Sequence, residues 1–104
     1  NMANMFKNCS KLTSLDLSNF DTSKVTDMSS MFFSCSDLTT IYVSSTWNAA
    51  KVRKSNSMFS GCSSLVGGAG TIYNSTNKTD KTYACIDGGG SAPGYFTDIS
   101  KKSA

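Results

Sequence analysis

The stretch that decides the fold is Met5-Phe6-Lys7-Asn8-Cys9-Ser10-Lys11-Leu12, because the chain returns to the same pattern twice. Residues 31–38 and 58–65 again carry Met-Phe, then Cys, then Leu. Equivalent cysteines are separated by 26 and then by 27 residues. A repeat of this length is typical of a supersecondary unit that buries its apolar face against neighbouring units. The spacing therefore predicts a solenoid of stacked repeats.

The apolar residues that precede each Cys follow helical spacing. In the second copy, Met28, Met31, Phe32 and Cys35 stand at positions i, i+3, i+4 and i+7, which lie on one face of a helix. The first copy has the same spacing, and in the third copy Ser55 replaces the first Met. The pattern predicts a short helix in each repeat.

The predicted helices also have recognisable starts. Asp21 and Asn48 are suitable N-cap residues, since their side-chain oxygens accept hydrogen bonds from amides of a first helical turn. A large aromatic residue, Phe20 or Trp47, precedes each cap in the arrangement of a hydrophobic staple. We therefore favour a core position for Trp47; an exposed binding aromatic is the alternative.

After the Cys of each repeat, the apolar period changes from helical to strand-like. Leu15 and Leu17 in one repeat, and Ile41 and Val43 in the next, are expected to point inward. The residues expected to point outward, which we take as a candidate binding face, are Ser14, Asp16, Ser18, Thr40, Tyr42 and Ser44. A solvated sheet face without a ligand is the alternative for this surface.

Composition argues against several classes of function. The 104 residues carry a net charge of +3, with scattered basic residues and no His. A nucleic-acid or anionic-membrane surface usually has a denser basic patch. Without His, and with no evident base beside a Ser, the chain offers no nucleophile arrangement. We expect no enzymatic activity, no cofactor, no metal site and no insertion into a membrane.

The cysteines of the repeats are expected to form an internal structural column, because Cys9, Cys35 and Cys62 share one repeat position. Small buried hydrophobic residues are the favoured interpretation. A disulfide between neighbours is geometrically conceivable, although three residues in one column cannot all pair. A zinc site is disfavoured because paired short spacings are missing.

The segment from Leu12 to Met28, with its Leu12, Leu15 and Leu17 frame, closely resembles the repeat of BspA-type leucine-rich-repeat surface proteins of bacteria. Residues 58–65 resemble it too. Ordinary leucine-rich repeats have Asn where this chain has Phe20, and that departure is typical of the BspA-type group. The resemblance implies export and binding to host proteins, matrix proteins or other bacteria.

Together, the repeat and the resemblance predict an α/β solenoid: a leucine-rich-repeat-like stack of short strand–loop–short helix units with a small β C-terminal cap. The predicted solenoid covers residues 1–66, as a partial repeat at 1–9 followed by repeats at about 10–36 and 37–66. Gly-rich residues 67–97 are the predicted cap, with a hairpin of 71–74 and 82–86, and 98–104 are a tail. The incomplete first repeat suggests end-to-end self-association.

The sequence thus favours a non-enzymatic, adhesin-like module at the bacterial cell surface or outside the cell. Its expected partner is a protein or glycan of a host, a matrix or a neighbouring cell, bound through the outward strand face. A structural spacer or assembly repeat with no specific ligand is the alternative function.

Overall fold

The computed structural model describes residues 2–74, 80–88 and 93–101. Three short strands form one sheet: β1 is Ser14–Asp16, β2 is Thr40–Val43 and β3 is Thr97–Asp98. β2 lies in the middle and pairs in parallel with both neighbours. The alternation that predicts the first two strands holds, since Ile41 and Val43 of β2 are fully buried.

The Met-Phe-x-x-Cys segments form consecutive turns rather than helices. In the second copy, every other amide closes a turn by donating to the carbonyl three residues earlier, as Phe33 does to Ser30 at 3.2 Å. The intervening amides cross to the third copy. These crossing bonds run from Ser30 to Asn56 at 2.9 Å, from Phe32 to Met58 at 2.9 Å and from Ser34 to Ser60 at 2.8 Å. Backbone bonds therefore join neighbouring copies, whereas in an α-helix they stay within one segment.

The turns arise where the backbone enters the left-handed region. The residues with positive φ recur at equivalent positions of the three copies: Asn4 and Asn8, Ser30 and Ser34, Ser57 and Gly61. Asn and Gly tolerate this conformation best, and Asn, Ser and Gly are weak helix formers. A left-handed residue at every fourth position prevents a continuous helix, even though the apolar spacing fits one.

The prediction of an α/β solenoid is therefore wrong. The described residues contain no α-helix, and their only helical segments are two single 3₁₀ turns, Lys81–Tyr83 and Ile99–Lys101. The molecule measures 29 × 28 × 26 Å, which is the shape of a small globule rather than of an elongated stack. The C-terminal residues contribute to this shape because β3 joins the sheet of the repeats instead of forming a separate β cap.

The core contains a stack of equivalent phenylalanines. The rings of Phe6 and Phe32 lie 5.8 Å apart and 4° from parallel, and those of Phe32 and Phe59 lie 5.4 Å apart at 11°. Tyr95 and Phe96 pack edge-on against Phe59, with ring centroids at 5.3 and 5.8 Å. The last copy is thus covered by aromatic side chains from the C-terminal part of the chain.

The predicted C-terminal hairpin is not formed by the described residues. Ile72 forms an isolated antiparallel bridge with Val66, and Ile86 forms a parallel one with Phe96. The connecting residues 75–79, part of the glycine run and residues 102–104 lie outside the described ranges. Gly94 is required for close packing, because a Cβ there would overlap the carbonyl of Cys85.

Within the described ranges, no helix has the length and apolar composition that a membrane span needs.

Candidate functional site

Parallel pairing of β1 and β2 brings the candidate binding residues together in register. Ser14 lies beside Thr40, and Asp16 lies beside Tyr42. Ser14 and Asp16 are exposed, whereas Thr40 and Tyr42 are half-buried. A carboxylate, a phenol and two hydroxyl groups thus occupy neighbouring positions on two adjacent strands.

The two remaining candidates, Ser18 and Ser44, follow the strands and bond locally. Ser18 donates its amide and its hydroxyl to the Asp16 carboxylate, at 3.0 and 2.6 Å. The Ser44 hydroxyl shares a hydrogen bond with Thr46. These contacts fix the ends of both strands and orient the Asp16 carboxylate beside Tyr42.

Two of the three repeat cysteines donate to carbonyls of the preceding copy. The Cys35 thiol donates to the Phe6 carbonyl at 3.1 Å, and the Cys62 thiol donates to the Phe32 carbonyl at 3.0 Å. Burial raises the pKa of Cys35, and it raises the pKa of Cys62 to about 12. All four cysteines are free thiols, and Cys9 is half-buried at the edge of the first copy. Protonated, buried thiols are poor nucleophiles, so Cys35 and Cys62 connect copies rather than react.

The predicted helix caps close local turns instead, since no helix begins at either position. The Asp21 carboxylate accepts from the amide and hydroxyl of Ser23, at 3.0 and 2.7 Å. Asn48 accepts from the Ala50 amide at 2.7 Å. Asx turns of this kind provide an alternative to helix formation.

The same carboxylate turn recurs along the chain, and the sequence analysis missed it. The signal is Asp followed two residues later by Ser or Thr, which occurs at residues 16, 21, 27, 37, 80 and 98. In all of these cases except Asp37, the carboxylate accepts from the amide two residues on. The Thr39 amide that follows Asp37 donates to the Thr13 carbonyl instead. Hydrogen bonds from Ser23 and Ser29 lower the pKa of Asp21 and Asp27.

Asp87 is a buried carboxylate that sequence reasoning also missed. Its side chain is 5% exposed and accepts from the Ala69 and Thr71 amides, both at 2.9 Å, and from the Thr71 hydroxyl at 2.7 Å. The Gly94 amide adds a longer bond at 3.4 Å. Asp87 thereby ties three loops of the C-terminal part together, and no local pattern in the sequence indicates this.

A groove of about 460 Å³ lies beside Trp47, where the predicted staple places a core residue. The indole is half-buried, packs edge-on against Phe96 at 4.8 Å and donates to the Ala84 carbonyl at 3.0 Å. The Lys81 ammonium group, also in the groove wall, donates to the carbonyls of Ala49 and Val52. The polar groups of this groove are therefore used mainly to attach the C-terminal segment to the repeats.

Among the residues that the structure describes, no three metal-ligating side chains are grouped closely enough to hold an ion.

A family model described as "Mycoplasma protein of unknown function, DUF285" matches residues 1–87 of the chain. No curated protein and no solved structure matches it.

Proposed function

Because the chain belongs to the DUF285 family of Mycoplasma proteins of unknown function, and because its sequence resembles BspA-type surface repeats, we propose that it is a non-enzymatic binding protein of the bacterial surface. The chain acts at the cell surface or outside the cell. Its partner is a protein or glycan of a host cell, a matrix or a neighbouring cell.

The observation that supports this proposal best is the register of β1 and β2. It places Asp16 beside Tyr42 and Ser14 beside Thr40 on two neighbouring strands. Tyrosine is favoured in binding surfaces because its ring is apolar while its hydroxyl forms hydrogen bonds. The adjacent carboxylate and hydroxyls add the polar contacts that fix the orientation of a partner.

The local bonds of Asp16 also favour recognition. Ser18 holds the carboxylate from one side, so less side-chain entropy is lost when a partner binds. The β1–β2 face is thus a small, preorganised polar surface with one aromatic side chain near its centre.

The test compares binding of the wild-type chain and a double variant, Asp16→Ala with Tyr42→Ala, to immobilised matrix proteins and to a glycan array. We expect at least about a tenfold loss of binding in the double variant, as for central interface residues. Asp37→Ala removes an exposed carboxylate elsewhere and serves as the matched control, with unchanged binding expected.

The thermal midpoint of each variant shows whether the fold is retained. Full binding by a folded double variant would refute a role for the β1–β2 face. Absence of binding by the wild-type chain to every surface would instead favour the structural spacer.

A further inference from the structure

The two loops that follow β1 and β2, residues 21–28 and 48–55, lie side by side. The Arg53 amide of the second loop donates to the Thr26 carbonyl of the first at 2.7 Å, and the Lys54 amide donates to the same carbonyl at 3.2 Å. Backbones joined in this way are about 4.8 Å apart, as in neighbouring strands. Side chains at equivalent positions of the two loops are therefore neighbours.

Both loops form the same turn and bury the same residue. The Val25 amide donates to the Thr22 carbonyl, and the Val52 amide donates to the Ala49 carbonyl, both at 3.1 Å. Each valine points into the core and is at most 9% exposed. The residues on either side of each valine are exposed in both loops.

This pairing gathers basic side chains that are scattered in the sequence. Lys24 and Lys51 precede the two valines and occupy equivalent positions of the two loops. Arg53 and Lys54 follow the second valine, and all four side chains are exposed. We call these four residues the basic loop edge.

The positive charge of the basic loop edge is only partly compensated. Asp21 and Asp27 each attract one of its lysines, but both carboxylates already accept hydrogen bonds from the Ser two residues on. Within the described part of the chain, neither Lys51 nor Arg53 has an ion-pair partner. The two loops thus carry a net charge of +2, out of +3 for the whole chain.

The basic loop edge also lacks exposed apolar side chains. Among the described residues, the large apolar side chains that are exposed belong to Met5, Val66 and Ile72, and all three lie outside the two loops. Protein interfaces are centred on apolar and aromatic residues, and stable attachment to a membrane needs a second, apolar contribution besides basic residues. A hydrated polyanion therefore suits this surface better than an acidic protein or a lipid bilayer.

We propose that the basic loop edge binds a sulfated glycan of the matrix or of a host cell. Ammonium and guanidinium groups bind oxyanions through charge-assisted hydrogen bonds. Because Lys24 and Lys51 follow one another in the direction in which the copies stack, a linear glycan with sulfates on successive sugar units contacts both. Release of counterions from such a polyanion adds to the affinity.

This proposal rests on the proposed function for its location outside the cell, and it names a ligand class for a second surface. The basic loop edge lies on the loops after the strands, whereas the β1–β2 face lies on the strands themselves. Binding at the two surfaces is therefore measured separately.

The experiment measures the affinity of the chain for heparin at several salt concentrations. The test variant is Lys51→Gln with Arg53→Gln, and a second variant, Lys51→Arg with Arg53→Lys, keeps both charges. The matched control, Lys11→Gln with Lys101→Gln, removes two exposed charges outside the basic loop edge. The thermal midpoint of each variant shows whether the fold is retained.

We expect the test variant to bind heparin roughly tenfold more weakly than the wild type, because two charge contacts are lost. The slope of log affinity against log salt should decrease by about 1.5, as for two contacts to a polyanion. The charge-retaining variant and the matched control should bind nearly as the wild type does. Equal losses in the test variant and the control, or no heparin binding by the wild type, would overturn the proposal.

Three further probes identify the kind of polyanion: fully desulfated heparin, polyglutamate, and vesicles of phosphatidylglycerol and phosphatidylcholine. We expect weaker binding to each of them than to heparin. Equal affinity for desulfated heparin would contradict recognition of sulfate. Equal affinity for polyglutamate or for the vesicles would identify an acidic protein or a membrane as the partner and overturn the proposal.

Binding to immobilised matrix proteins separates this proposal from the function proposed for the β1–β2 face. The test variant should keep the protein binding of the wild type, because Lys51 and Arg53 lie outside that face. Loss of heparin binding with retained protein binding therefore supports a separate glycan site. Loss of both in a folded test variant would contradict it.

Discussion

The two ends of the repeat region differ in how far other parts of the chain cover them. At the end formed by the third copy, Tyr95, Phe96 and Tyr73 cover the last phenylalanine and satisfy an exposed amide. At the other end, Met5 is 44% exposed, and no residue that the structure describes donates to the carbonyls of Met5 and Lys7. The three copies are similar in sequence, so this difference shows that a neighbouring segment, and not the repeat itself, determines burial.

Ser55 also shows that the neighbouring segment determines which residue suits a repeat position. It stands where the other copies have Met2 and Met28, and it is buried. Its hydroxyl accepts from the Lys81 amide at 3.2 Å. The polar residue suits this position because the neighbour here is the start of a 3₁₀ turn rather than another apolar copy.

The largest expected effect contrasts the inner and outer rings of the phenylalanine stack. Phe32→Ala removes a fully buried ring and should lower the free energy of unfolding by about 3–5 kcal/mol. Phe6→Ala removes a half-buried ring and should cost clearly less. Urea denaturation measures both. Equal losses would show that the two ends of the stack do not differ in burial.

The second prediction concerns the stability of the C-terminal part of the chain, which covers the third copy and is held together by Asp87. Asp87→Asn replaces a buried carboxylate oxygen with an amide group that faces amide donors. We expect a loss of roughly 1.5–3 kcal/mol in the free energy of unfolding, as for hydrogen bonds to a charged group. Asp37→Asn, at an exposed position, is the control and should change stability by less than about 0.5 kcal/mol. Similar stabilities of the two variants would contradict the role of Asp87.

A third effect uses pH to test the covered junction between the second and third copies. Burial raises the pKa of Cys62 from 9.0 to about 12. Since the folded pKa lies above the unfolded one, the stabilising contribution is complete below pH 9 and is lost as pH rises toward 12. The wild type should lose roughly 1.4 kcal/mol more per pH unit than Cys62→Ala does in this interval. The free energy of unfolding is measured against pH by urea denaturation under reducing conditions. If it decreases equally with pH in the wild type and in Cys62→Ala, Cys62 makes no such contribution.

The smallest expected effect is a change in the pH dependence of thermal stability when the carboxylate of a local turn is removed, either at Asp27 or at Asp21. Hydrogen bonds from Ser29 and Ser23 lower the pKa of Asp27, which is half-buried between copies, and of Asp21, which is exposed. The stabilising contribution of each is present above the ordinary pKa of 3.8 and is lost as pH falls through the lowered value. Thermal midpoints between pH 2 and 6 should therefore decrease less steeply for Asp27→Asn and Asp21→Asn than for the wild type. A wild-type thermal midpoint that does not change between pH 2 and 6 would contradict the stabilising contribution of the two carboxylates.

Sequence patterns were sufficient to locate β1 and β2 and the apolar positions around them. Alternation of small polar and aliphatic residues identified Ile41 and Val43 as buried, and the structure confirms both. The same alternation selected Ser14, Asp16, Thr40 and Tyr42, which the parallel register then aligns. Their role in binding remains a prediction.

The apolar spacing predicted helices for the Met-Phe-x-x-Cys segments, and this prediction is wrong because their backbone forms consecutive turns. Met28, Met31, Phe32 and Cys35 are all buried, as a helix face would be, but consecutive turns bury the same positions. The recurring Asn, Ser and Gly at the left-handed positions were the available signal. Their low helix propensity competes with periodicity, and here the bonds between copies decide the outcome.

By itself, the sequence determined which residues are equivalent, which of them are apolar and where β1 and β2 form, because these properties follow from local pattern and spacing. Only the tertiary structure decided the backbone of the repeats, the position of β3 beside β2 and the cover over Phe59. Each of these depends on hydrogen bonds and contacts with segments that are 25 or more residues away along the chain, and such partners are not encoded in any single window of sequence.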